Sequence, residues 1–194
     1  LNSVVDKTFN QIDIDGDSST NDSVILMANG ESHENVEYNS PFHDRFVEGL
    51  NIVAEDLCKK IAGDAEGAQH LITARVMGAF DSLQARSVAR EVVSSNLVKT
   101  AVYGRDPNWG RIIMAIGKAN INFNPNKISI NFGKLKIVEK GQLSNSYKEK
   151  DAAEYMKGEK LDISVNLNIG KMNFTAYTMD LTKKYIEINA NYRT

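Results

Sequence analysis

The chain has one cysteine, Cys58, one tryptophan, Trp109, and three histidines among its 194 residues. A single thiol excludes an intrachain disulfide and fits a reducing compartment. The histidines, at 33, 43 and 70, lack metal-ligand spacing and have no cysteine pair beside them, which argues against a zinc site. Charge of one sign is also missing. Lys and Arg number 23 against 25 Asp and Glu, a net charge of -2, so there is no basic footprint for nucleic acid and no polybasic membrane patch. No apolar run approaches the length needed to span a bilayer, and no signal-peptide pattern opens the chain. What is present, 42% apolar and 25% charged residues, is the composition of an ordinary globular protein.

The chain opens on "LNSVVDKTF", where Leu1, Val4, Val5 and Phe9 share a helical stripe with no cap ahead of it. It reads as a helix already under way. "NQIDIDGDSSTND" follows, dense in side chains that bond their own backbone. Its Gly16 comes too early for a calcium loop, so it reads as a hydrogen-bonded turn whose amides could line a pocket. "SVILMANG" reads as a buried helix or strand. Ser40 and Pro41 then signal a helix start, and Phe42, Phe46, Val47, Leu50, Val53, Leu57 and Ile61 form a broad apolar stripe ended by Gly63. Cys58, within that helix, reads as a buried structural thiol.

After the polar link "DAEGAQ" the pattern changes. "HLITARVMGAF" alternates as a strand, with Leu71, Thr73, Arg75 and Met77 on one face. Asp81 or Ser82 can cap a helix bearing Leu83, Val88, Val92 and Val93. "GRDPNWGRIIMAIG" is the most distinctive stretch. It reads as a packed turn anchored by Trp109, with Asp106 able to pair with Arg105 or Arg111; the sharper alternative is an anion or substrate site. From Ile121 onward short runs broken by Gly133 and Gly141 suggest hairpins, and Ile169-Gly170-Lys171 looks like another. Asp180 is a candidate cap for a final helix carrying Leu181, Tyr185 and Ile188. The expected organisation is α/β in three parts: residues 1–67, an α/β linking region 68–120, and a strand-rich α/β region 121–194.

Four blocks occur in order: "NQIDIDGDSSTNDSVILMANG", "DAEGAQHLITARVMGA", "SSNLVKTAVYGRDPNWGRIIMAIG" and "MDLTKKYIEINANYRT". With them the chain resembles, from end to end, the β chain of the ornithine acetyltransferase (glutamate N-acetyltransferase) family of arginine biosynthesis. The resemblance implies a cytoplasmic acyltransferase made as one precursor that cleaves itself, with a layered αββα-type core completed by the α chain in an α2β2 heterotetramer. It implies acetyl transfer from N2-acetyl-L-ornithine to L-glutamate through an acetyl-threonine. No cofactor is implied, although acetyl-CoA serves some members as donor. The nucleophilic Thr heads the family's β chain, so it is expected upstream of Leu1 and no catalytic residue is assigned here. Substrate-binding residues carried over from the family are Glu66, Asn189 and Thr194. Gln69-His70 departs from the family's usual Thr-Lys beside the site. Two alternatives stay open: a related self-processed aminopeptidase or amidohydrolase, and an inactive structural subunit.

Overall fold

The computed structural model describes residues 1–192. Helix α1 (Asn2–Lys7) buries Val4, and Leu1 stands at its cap position with no side-chain bond. A turn through residues 13–22 leads into 23–30, which has no regular secondary structure and is exposed. Ile25 and Met27 are 76% and 88% accessible, so the buried element expected there does not form within this chain. Helix α2 (Pro41–Gly63) starts as expected: the Ser40 hydroxyl accepts the His43 N–H at 3.1 Å and Pro41 fits the first turn. Its orientation is not as expected. The small residues Ala54, Cys58 and Ala62 face inward at four-residue spacing, while Phe42, Phe46, Val53, Leu57 and Ile61 lie largely exposed.

Strand β1 (Leu71–Ala79) is followed by helices α3 (Ser82–Ser94), α4 (Asn96–Tyr103) and α5 (Trp109–Lys118). Asp81, Ser95 and Asn108 cap them by accepting the N–H groups of Gln84, Val98 and Arg111. Leu83 points outward; Ala85, Val88, Ala89, Val92 and Val93 face the core. Strands β2 (Ser129–Phe132), β3 (Leu135–Glu139) and β4 (Gln142–Leu143), helix α6 (Glu149–Tyr155), strands β5 (Lys160–Asn166) and β6 (Met172–Met179), and helix α7 (Lys183–Asn191) complete the order.

The strands form one sheet, β4-β3-β2-β5-β1-β6, in which β1 runs parallel to β5 and antiparallel to β6. Two expectations change here. The strands β5 and β6 are no hairpin, because β1 lies between them; the connection crosses over the end of β1, where Ile169 and Gly170 donate to the Gly78 carbonyl at 2.9 and 2.8 Å. Gly170 is required at this crossing, since a Cβ would run into the Ala79 carbonyl. The division drawn at residue 120 is likewise no boundary, as β1 from the middle segment is hydrogen-bonded on both edges to strands of the last one. Local alternation gives the faces of a strand but not its neighbours.

The alternation of β1 fixes the layers. Ile72, Ala74 and Val76 face α3 and α5 in the main core, with Phe132, Leu161, Ile163 and Val165. Leu71 and Tyr177 face the other way, against Cys58 and Ala62 of α2. Trp109 packs on the main core, and Arg111 donates to the Leu97 carbonyl at 2.8 Å instead of pairing with Asp106, whose carboxylate accepts from Asn108. The "DPNWGR" stretch is therefore a packed, capped turn.

Cys58 is fully buried, and burial pushes its thiol up to about 11. At pH 8 the folded protein should leave Cys58 unmodified by iodoacetamide over hours, while denaturant exposes it to complete alkylation; mass spectrometry reads both, and rapid native modification would show that α2 does not pack as described.

Candidate functional site

The site is assembled at the root of α7. Asp180, fully buried, is not the helix cap that its position before "LTKKY" suggests. Thr182 takes that role, its hydroxyl accepting the Tyr185 N–H at 3.1 Å while donating to the Gly67 carbonyl at 2.8 Å. Asp180 instead turns back on the link after α2. One carboxylate oxygen accepts the Gln69 and His70 N–H groups at 2.9 and 2.8 Å, and the other lies 2.9 Å from His70 Nδ1. A carboxylate only accepts, so the ring presents an N–H at Nδ1. His70 is itself buried. Gln69-His70 thus acts by structure: the pair ties the link to the last helix.

Gly67 lets the two segments touch. Its φ is +74°, and a Cβ there would stand 2.7 Å from the Tyr185 nitrogen. The link is thereby pressed onto the first turn of α7. One residue earlier and one helical turn later, Asn189 Nδ2 donates to Glu66 Oε2 at 2.8 Å and to the Tyr185 carbonyl at 3.0 Å. Two residues 123 apart in sequence are joined side chain to side chain. Asn189 stands on the helix, which runs to Asn191, and not on a tail folded back from it. Thr194 lies outside the described residues.

Glu66 and Asn189 line an open cavity of about 1010 Å³ with Ile14, Asp15, Ser19, Asp22, Lys60, Ile61, Asp64, Ala65 and Tyr185. The turn at 13–22 supplies one wall. Its carboxylates hold their own backbone, Asp13 accepting from the Gly16 N–H and Asp15 from the Asp17 N–H. Tyr185 crosses from α7 to this wall, donating to Asp15 Oδ2 at 3.1 Å. Partial burial, then the Asp15 carboxylate, hold the phenol proton on Tyr185 above its usual range. Lys60 is paired with Asp56 at 2.7 Å. The lining is therefore rich in carboxylates. With its amide N–H groups directed at Glu66 and the helix, Asn189 has its acceptor oxygen left over from these bonds. The pair suits an ammonium group better than a carboxylate. Among the described residues, no group of three or more His, Cys, Asp or Glu is placed to hold a metal ion.

Glu66 and Asn189, assigned from sequence, are thus brought together. Tyr185, Asp15 and Asp64 were not assigned: Tyr185 reads in sequence as part of an apolar stripe, and the acidic turn as self-bonded. The one signal available was that turn's capacity to line a pocket.

The sequence model of the ArgJ family matches residues 1–194. The arginine biosynthesis bifunctional proteins ArgJ of Ruegeria pomeroyi and Geobacillus stearothermophilus are 44% and 45% identical to the chain over its whole length, covering 47% of each relative. The chain spans about half the length of these curated relatives. The crystal structure of the arginine biosynthesis bifunctional protein ArgJ from Bacillus halodurans superposes with a TM-score of 0.94 at 41% identity, over 98% of this chain and 90% of the solved one. End-to-end matches at this identity leave one assignment: the chain belongs to the ArgJ family, enzymes of arginine biosynthesis.

Proposed function

We propose that the chain is the β subunit of a glutamate N-acetyltransferase that moves acetyl from N2-acetyl-L-ornithine to L-glutamate, working only with an α chain from the same precursor. The observation that carries this is the Glu66–Asn189 pair at the cavity rim: it presents acceptors suited to the side-chain ammonium group of acetylornithine. Thr194 is the third residue proposed to grip the substrate.

The proposed nucleophile comes from outside the residues described. A Thr at the head of the β chain, upstream of Leu1, is proposed to attack the acetyl carbonyl through its hydroxyl. Its α-amine takes the hydroxyl proton and returns it to the departing ornithine nitrogen. Donors on the α chain stabilise the oxyanion. The glutamate amine then attacks the acetyl-threonine ester and regenerates the hydroxyl. Acetyl-CoA, if accepted, loads the same hydroxyl from a thioester. The proposed setting is the cytoplasm.

Two facts support a two-chain assembly. Curated relatives are about twice as long as this chain, whereas one solved chain is nearly matched in length. And α2 exposes Phe42, Phe46, Val53, Leu57 and Ile61, and the Val24–Met27 run is exposed as well, apolar surface that asks for a cover. An α chain completing a layered αββα core, paired as α2β2, would supply it.

Co-expression with the preceding half of the precursor, Thr-headed segment restored, should give acetylglutamate from acetylornithine and glutamate. Release of acetate alone would favour an amidohydrolase, and no turnover by a folded complex would defeat both readings. In the active complex Glu66→Gln should raise KM for acetylornithine by about tenfold or more, since hydrogen bonds to charged groups contribute roughly 1.5–3 kcal/mol. Deleting residues 189–194 should abolish saturable substrate binding yet shift the melting temperature little, because none of the described side chains of α7 is fully buried; calorimetry separates the two effects.

A further inference from the structure

Lys99 is among the largest fully buried side chains of the described residues, 1% exposed, and no step of the proposed reaction uses it. It sits on α4, among residues that otherwise pack as Val98, Ala101 and Val102 do. An ammonium group survives such burial only when paired and hydrogen-bonded. Its Nζ donates to the carbonyl of Ile14, in the turn that walls the cavity. The backbone of the same residue meets the root of α7, Leu181 N–H donating to the Lys99 carbonyl at 3.4 Å. Three carboxylates act on the buried charge: Asp13 and Asp15 from the turn and Asp180 from the latch on the 69–70 link. Burial nevertheless draws its proton affinity below the usual range, and those carboxylates oppose the shift.

We infer that Lys99 is a positioning residue for the cavity: it pins the 13–15 turn to the segment that carries α7, and so sets where Asp15 and Tyr185 stand. Ile14, Asp15 and Tyr185 line the cavity; Lys99 does not, so it acts through them. The turn has few other ties to the body beyond the packing of Ile12 and Ile14 against the Cys58, Ala62, Leu71 and Tyr177 cluster. Asp13 N–H donates to the Tyr177 carbonyl at 2.9 Å, and Asp15 accepts from Tyr185. Beyond these, its bonds are to itself. A turn held by its own side chains keeps its shape but not its place; the apolar contacts of Ile12 and Ile14 and the buried ammonium together supply the place. This inference rests on reading the cavity as the acetyl-donor site.

Lys99→Met keeps the volume and removes the charge. In the assembled two-chain enzyme it should raise KM for N2-acetylornithine about tenfold with kcat within about twofold of the parent, the pattern of lost ground-state binding. Amide exchange at residues 13–17 should accelerate about tenfold while Leu161 to Val165 stay protected. An unchanged KM, an equal fall in kcat and kcat/KM, or unchanged exchange at 13–17 would overturn the inference. Should Lys99→Met fail to fold, Asp15→Ala and Tyr185→Phe probe the same wall without touching the core. Each should raise KM severalfold, and parental KM in both would overturn it. If the parent enzyme transfers no acetyl group, the reading of the cavity fails, and the exchange comparison still decides whether Lys99 holds the turn.

Discussion

The carboxylate of Asp180 is the interaction on which the candidate site depends. It is fully buried and accepts from two backbone N–H groups and a ring N–H, all on Gln69 and His70. The strand β1 begins one residue after His70, and α7 begins three residues after Asp180. Those bonds therefore couple the start of the central strand to the start of the last helix. Everything that brings Glu66 to Asn189 is downstream of that coupling: the Thr182 hydroxyl bridging Gly67 to the helix, the Gly67 contact, and the side-chain bond itself. A buried carboxylate is stable only when its acceptors are filled. Removing one donor would leave a charge without solvent, so the link cannot drift without large cost.

Polar side chains are buried together at this end of the molecule. Asp180 and Lys99 are almost wholly enclosed, and His70 stands between link and latch. Buried ion pairs contribute little net stability, because desolvation offsets attraction, but they discriminate sharply between one arrangement and its neighbours. The main core, by contrast, is built on apolar side chains such as Ile72, Val88, Phe132 and Leu161. Stability and site geometry are thus carried by different chemistry: the sheet and α3 to α5 by apolar burial, the cavity wall by buried polar bonds.

Much of this was legible in the sequence. The alternation of "HLITARVMGAF", the caps at Ser40 and Asp81, and the turn at residues 13–22 are local signals, and local geometry obeys them. Glu66 and Asn189 are carried over from the family blocks one by one, and the structure joins them by a side-chain bond. What failed was non-local. The placement of β1 between β5 and β6 depends on a crossover that no window of sequence reveals. Asp180 looked like a cap because Asp before a helix usually is one; a partner 110 residues away claimed it first. The α2 stripe shows its period in the sequence but not its direction. The helix has two apolar faces, a narrow one of Ala54, Cys58 and Ala62 and a broad one of large residues, and the chain buries only the narrow face on itself.

That division of α2 bears on how the site is completed. Ile61 belongs to the broad exposed face and also lines the cavity, and Asp22, another lining residue, lies two residues before the exposed Val24–Met27 run. The uncovered apolar surface and the open cavity therefore share an edge. On the proposed two-chain reading, a partner that buries Phe46, Val53 and Leu57 must approach along the same helix that ends at the cavity wall. Docking and enclosure of the substrate would then be one event. The apolar area removed from water would drive association, at roughly 25 cal/mol per Å², and water would be excluded from the space where an acetyl ester must survive until glutamate attacks. On the same reading the open cavity and the uncovered face have one cause: the surface that would close the cavity is the surface that no described residue of this chain packs against.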